Sequence, residues 1–253
     1  MYEDVCYTSP FLKEVIVRLD FAAGAEALAE DKFPPAIAAA ALRRFPISEP
    51  RSTISRHVFI QGENLSQKEQ HLTEWNYFGR EREKRLAISR DYMFVTVSHY
   101  KRYEEMRDDF LAILEAMRQR FPELLVGRFG LRYNNTIKKP EPSTDLFDWS
   151  PYLTERVLGT LKQFAAAPLT RAMSTVETRH DDIGVKFQFG MPNPDFPAKI
   201  RQPLFVLDMD TSANGLQAGE VAAHLDRAHE HIQFMFEDSI TDGLRELMRV
   251  QRA

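Results

Sequence analysis

Residues 92–121 read YMFVTVSHYKRYEEMRDDFLAILEAMRQRF, an apolar extended segment that runs straight into a long amphipathic helix. In the helical part, Met106, Phe110, Ile113, Leu114 and Met117 share one face with Tyr103 and Phe121, the spacing of a helix that lies on a core. Pro122 stops it. The same succession returns near the end, where LFVLDMD at residues 204–210 precedes a single helix predicted over residues 218–248. Its Leu225, Ile232, Phe236, Ile240, Leu244 and Leu247 fall on one side.

Each of these two units follows a similar run of elements. Ahead of the first, Val15, Val17 and Leu19 alternate with Glu14, Ile16, Arg18 and Asp20, a strand with one mostly polar side. An Ala-rich stretch over residues 23–44 is broken by Pro34 and Pro35, which leaves Pro35 near the first turn of its Ala-rich helix, and residues 45–53 read as a connection. Extended segments at residues 54–61, 68–78, 84–89 and 92–100 then suit an antiparallel meander. Ahead of the second unit come the strand LLVGRFGLRYNNTI from Leu124, a short helix at residues 153–164, and a hairpin around His180, Asp181 and Asp182. The expectation is an α+β protein, a tandem duplication of a strand-helix-(three or four strands)-helix unit with antiparallel sheets and long helices packed on one face. Residues 1–122 form the first copy and residues 123–253 the second, fused into one structural domain. This order of elements is similar to the repeat of the TATA-box-binding protein fold, a resemblance that implies a curved sheet with one open face and no particular function.

Composition narrows the class. With 253 residues, 43% of them hydrophobic, the chain is long enough for a large core, and its 28% charged content is that of a globular protein. A formal charge of −4 disfavours nucleic acid as the partner. The single cysteine, Cys6, excludes an internal disulfide. No apolar run reaches the roughly 20 residues of a membrane span, and the polar, acidic start does not resemble a secretory signal, so a cytoplasmic location away from membranes is expected.

Two stretches carry candidate chemistry. In PLFVLDMDTS, Asp208 and Asp210 point to the same side of a strand, where two carboxylates can share a divalent cation such as Mg or Mn. This motif resembles the nucleophile strand of the haloacid dehalogenase superfamily. The resemblance would make Asp208 the nucleophile, Asp210 the acid/base and Ser212 the hydroxyl position, but the remaining chain is too short for that family's later lysine and metal ligands. The alternative is a polar strand side ending at the sheet rim. In GRFGLRYNN, Arg128, Gly130, Arg132 and Asn134 share a face suited to phosphate or carboxylate; the alternative has the arginines paired with Glu14, Glu74 or Asp208. His71, Thr73, Trp75 and Tyr77 share a face of another strand, fit either for a partner or for packing under a helix. His224, His229 and His231 lack the i, i+4 interval of a metal-binding helix.

Tyr7 and Pro10 before Glu14-Val15, the run Gly130 to Asn135, the Asp208/Asp210 strand, and Phe236-Glu237 before Ile240-Thr241-Asp242 together resemble the landmarks of a sporadically distributed family of uncharacterised prokaryotic proteins. The resemblance spans nearly the whole chain. It implies horizontally exchanged genes, such as toxin–antitoxin, immunity or phage-defence modules, and assigns no activity. The expected function is that of a non-enzymatic binding protein without cofactor, holding a protein partner or a phosphate-bearing ligand through Arg128, Arg132, Asn134, Trp75 and Tyr77. One alternative is a metal-dependent hydrolase or nuclease using Asp208 and Asp210; another is a nucleic-acid-binding protein.

Overall fold

The computed structural model describes residues 6–23, 25, 28, 33–61, 64–140, 145–164 and 169–251, with the side chains of residues 53–72 and 250–251 outside the description. The first half contains β1 (Cys6–Tyr7), β2 (Leu12–Ala23), α1 (Pro35–Arg44), β3 (Ile47–Ser48), β4 (Arg51–Gln61), β5 (Asn64–Phe78), β6 (Lys84–Ile88), β7 (Tyr92–Val97) and α2 (Tyr103–Arg120). The second contains β8 (Leu125–Lys138), α3 (Glu155–Lys162), β9 (Ala172–His180), β10 (Ile183–Met191), β11 (Leu204–Gln217), α4 (Val221–Ser239), α5 (Asp242–Met248) and β12 (Val250–Gln251).

Mixed α and β structure is organised around one large antiparallel sheet of ten strands. Its order is β3-β5-β6-β7-β2-β8-β11-β10-β9, with β4 paired to β5 outside that path. β2 and β8, far apart in the chain, are hydrogen-bonded neighbours at the middle of the sheet, so both halves of the sequence share it. β1 and β12 form a separate two-stranded ribbon that joins the two ends of the chain. No helix among the described residues is long and apolar enough to cross a membrane.

Strand alternation decides what enters the core. Val15, Val17 and Leu19 of β2 are fully buried, as are Met93 and Val95 of β7, Phe129 and Leu131 of β8, and Leu207 and Met209 of β11. They join Phe110, Ile113 and Met117 of α2 and Leu225 and Ala228 of α4 in one cluster. The residues between them, Arg18, Asp20, Arg128, Arg132 and Asp210, stay partly exposed. At the edge of the core, Asp109 of α2 accepts hydrogen bonds from Arg44 of α1 and Lys84 of β6, tying three elements through one carboxylate.

Several expected boundaries move. The break expected at Pro34 and Pro35 does not move: α1 begins at Pro35, whose fixed φ and missing N–H suit a first helical turn, while residues 24, 26–27 and 29–32 of the stretch before it lie outside the described residues. The connection expected at residues 45–53 contains β3 and the start of β4. β11 does not stop at Asp210 but pairs with β8 as far as Gln217 opposite Leu125. The single closing helix is two helices. Ile240 leaves the helix in an extended conformation and bridges Leu153, while the Thr154 N–H donates to Ser239 O at 2.9 Å. A tertiary strand-like contact thus interrupts a sequence whose apolar period runs straight through.

Candidate functional site

The sheet register assembles the polar face that the sequence points to. On β8, Arg128, Arg132 and Asn134 sit opposite Asp20, Ile16 and Glu14 of β2, and opposite Asn214, Asp210 and Asp208 of β11. Arg128, Arg132, Asn134, Asp208 and Asp210 therefore come together on one side of the sheet. Arg132 is already engaged, since its Nε and Nη2 donate to the two oxygens of Asp208 at 2.7 and 2.6 Å. The Arg132 side chain is 41% exposed and that of Asp208 10%. Arg128 is held loosely, 3.9 Å from both Asp20 and Asp210. Its guanidinium covers Gly130, where an added Cβ would meet Arg128 Nη1 at 3.0 Å. Burial pushes the Asp210 carboxyl above its ordinary pKa, against the pull of Arg128 and Arg132.

Opposite charges continue across neighbouring strands. Arg18 donates to Asp20 at 2.7 Å and lies over the Tyr92 ring, and Arg85 donates to Glu74 at 2.8 Å and to Asn76 at 2.9 Å. The face is thus a self-neutralising ion lattice, without the basic surplus that phosphate backbones require. A metal fits Asp208 and Asp210 poorly. Both Asp208 oxygens are bonded to Arg132, and among the described residues no three His, Cys, Asp or Glu side chains are grouped to hold an ion.

Trp75 and Tyr77 do not belong to this face. β5 pairs Trp75 with Ile88 and Tyr77 with Leu86, both fully buried, so the two rings point into the core, with the Phe33 ring 4.9 Å from Trp75 and 6.0 Å from Tyr77. Glu74 and Asn76 take the polar side instead. The shared parity of Trp75 and Tyr77 is as expected, but the covered side of the sheet claims them; the His71 side chain lies outside the described residues.

A second site, which sequence reasoning missed, lies across β8 from the charged face. Tyr133 and Asn135 of β8 and Met209 of β11 line a cavity of about 500 Å³, walled by the start of α2, by α4 and by the chain around β1. Its polar groups form two connected sets. Near β1, the Tyr7 hydroxyl donates to Glu237 Oε1 at 2.7 Å, and Arg245 Nε donates to Glu237 Oε2 at 3.0 Å. Glu237 is only 4% exposed, and burial of Tyr7, followed by its bond to this carboxylate, drives the Tyr7 pKa upward. Near α2, the Tyr133 hydroxyl lies 2.9 Å from the Tyr100 hydroxyl and 3.2 Å from His229 Nδ1. The His229 ring stacks parallel on Tyr103, with centroids 3.8 Å apart. Tyr103 donates to Asp226 at 2.6 Å, where Arg107 Nε also donates at 2.6 Å. Burial raises the pKa of Tyr133 and Tyr103, so both hydroxyls keep their protons at neutral pH.

Six of the landmark residues named above, Tyr7, Pro10, Tyr133, Asn135, Phe236 and Glu237, line this one cavity. Their separation in sequence hides the site; Tyr7 and Glu237 are 230 positions apart. The three histidines of α4 also part company. His224 bonds Asp182 at 2.6 Å, His231 stacks with His180, and only His229 faces the cavity. Set beside known proteins, the chain matches no family model and no curated protein, so the case for a function rests on this geometry.

Proposed function

We propose that the protein is a non-enzymatic, cytoplasmic binding protein that holds a small molecule in the cavity between β8, α2 and α4. The observation that carries this is the cavity itself. Its volume of about 500 Å³ falls in the range of roughly 300–1,000 Å³ typical of ligand pockets, and its largely apolar, aromatic wall carries a few convergent polar groups, as such pockets do. The two carboxylates in its polar networks are committed to arginines, Glu237 to Arg245 and Asp226 to Arg107, and the third, Glu104, stands exposed at the rim, which favours fixed recognition over proton abstraction. The architecture is consistent with two fused copies. From the central β2–β8 pair the sheet runs outward through β7, β6 and β5 on one side and through β11, β10 and β9 on the other. In each direction the strands are met in reverse chain order, the pattern expected of two copies of one unit.

Native mass spectrometry of gently purified protein tests the proposal. A bound species of a few hundred daltons is expected, and it should be absent from a Gln233→Trp variant in which the new ring fills the cavity. A folded Gln233→Trp protein that keeps the same bound species would refute the assignment. A second reading, docking of a protein partner on the charged sheet face in an antitoxin, immunity or phage-defence role, draws on the loosely held Arg128. Its fork is open to an incoming carboxylate, and Arg128→Glu should then abolish co-purification of that partner.

A further inference from the structure

We infer that the ligand of this cavity is a planar aromatic molecule carrying one anionic group, a carboxylate or a phosphate, with its ring among the tyrosines and its charge at the mouth beside Lys101 and Arg102. The inference rests on the small-molecule reading above and names the class of ligand. Two observations carry it, one about shape and one about charge.

The wall is built of rings. Tyr100, Tyr103, Tyr133, His229 and Phe236 surround the space, and their edges and faces favour offset or edge-to-face contact with another ring. The stacked His229–Tyr103 pair and the perpendicular Tyr100–Tyr133 pair, with centroids 5.5 Å apart, are fixed by their own hydrogen bonds. A flat ligand therefore meets a preformed surface and loses little freedom in ordering it. Asn135, buried on the floor with its amide donating only a long 3.4 Å bond to Leu207 O, offers an in-plane polar contact to a ring substituent.

Charge separates the floor from the mouth. On the floor, Glu237 is matched by Arg245; behind the wall, Asp226 is matched by Arg107. At the mouth stand Lys101, Arg102 and Glu104, none of which has an ion-pair partner among the described residues. Two cations against one anion leave a net positive rim beside an apolar interior, where a ligand anion is attracted and a ligand cation repelled. The exposed position of Lys101 and Arg102 keeps their hydration cost low while the ring is buried.

The test is a matched set of naphthalene probes titrated by intrinsic ligand fluorescence and by thermal shift: 2-naphthoate, 2-naphthyl phosphate, neutral 2-naphthamide and cationic 2-naphthylmethylammonium. The anionic probes are expected to bind at least tenfold tighter than the amide, and the tighter of the two anions distinguishes carboxylate from phosphate. In a Lys101→Gln/Arg102→Gln variant the anion advantage should collapse to within about twofold, with the amide affinity unchanged. Equal binding of amide and anions, or tightest binding of the cation, would overturn the charge assignment while leaving the cavity as a ligand site. Failure of every probe, with Gln233→Trp and wild type behaving alike, would overturn both.

Discussion

Replacement of Arg132 by methionine separates a structural arginine from a recognition arginine. In the folded protein Arg132 gives two charge-assisted hydrogen bonds to Asp208, whose side chain is 10% exposed. Removing the guanidinium strands that carboxylate between β8 and β10. Breaking a fully buried pair from one side costs about 3–5 kcal/mol, whereas exposed pairs are worth about 0.2–1 kcal/mol. Arg132 is 41% exposed, so water reaches the vacated space and the expected loss lies between, about 2 kcal/mol. For a chain of this size each kcal/mol moves Tm by about 2–4 °C, giving a fall of about 4–8 °C. Urea unfolding should show the midpoint falling with m unchanged. The cycle with Asp208→Leu is the sharper assay, because the Arg132→Met/Asp208→Leu protein removes both charges and should recover most of the loss, a coupling of about 1–2 kcal/mol. An Arg132→Met protein that melts within about 1 °C of wild type, or a cycle with no coupling, would refute the claim that this pair holds β8 to β11.

Tyr7→Phe should destabilise by about 1.5–3 kcal/mol, the worth of a hydrogen bond to a charged group, because Glu237 loses its Tyr7 donor; hydrogen exchange should show β1 and β12 opening first. Gly190→Ala should cost more than about 2 kcal/mol in urea unfolding, since Gly190 has φ +141° and a new Cβ would lie 2.1 Å from Ala172 O. His231 is held below its ordinary pKa by burial and then by His180, with Arg227 acting the same way and Glu230 and Asp181 opposing. The unfolded chain therefore takes up this proton first, so the contribution is intact above about pH 6.5 and is lost as pH falls below it; His231→Gln should flatten the urea midpoint against pH between about 6.5 and 5. Millimolar Mg²⁺ or Mn²⁺ should leave Tm unchanged, because Arg132 occupies both oxygens of Asp208; a rise that disappears in Asp208→Asn would instead establish a metal site.

The parts of the fold that can be read from sequence are those where local periodicity and burial agree. Val15, Val17 and Leu19 alternate against charged neighbours and are all fully buried, and the face predicted for α2 is the face that packs. Parity alone does not say which side of a sheet is covered, and for that reason Trp75 and Tyr77 were groupable but not placeable. The far half of β11 was illegible for another reason. Asp210, Thr211, Ser212 and Asn214 look like the frayed end of a strand, yet Thr211 is fully buried with its hydroxyl donating to Leu131 O at 3.0 Å, a partner known only once β8 is alongside. The break between α4 and α5 likewise depends on Leu153, far away in sequence.

The two candidate sites are connected by the run Arg132-Tyr133-Asn134-Asn135. Consecutive residues of a strand face opposite ways, so this run gives Arg132 and Asn134 to the charged face and Tyr133 and Asn135 to the cavity. A slip of one residue between β8 and β11 would exchange the two sets. The Arg132–Asp208 pair, together with the alternating charges of β2 and β11, opposes such a slip, because a one-residue shift would set arginine or aspartate into the core. The ion lattice that the sequence offers as a recognition surface therefore positions the hydroxyl of Tyr133 and the amide of Asn135 for whatever occupies the cavity. Substitutions on the charged face should accordingly weaken ligand binding only as far as they weaken folding, whereas substitutions at Lys101 and Arg102 should change affinity with the melt unmoved.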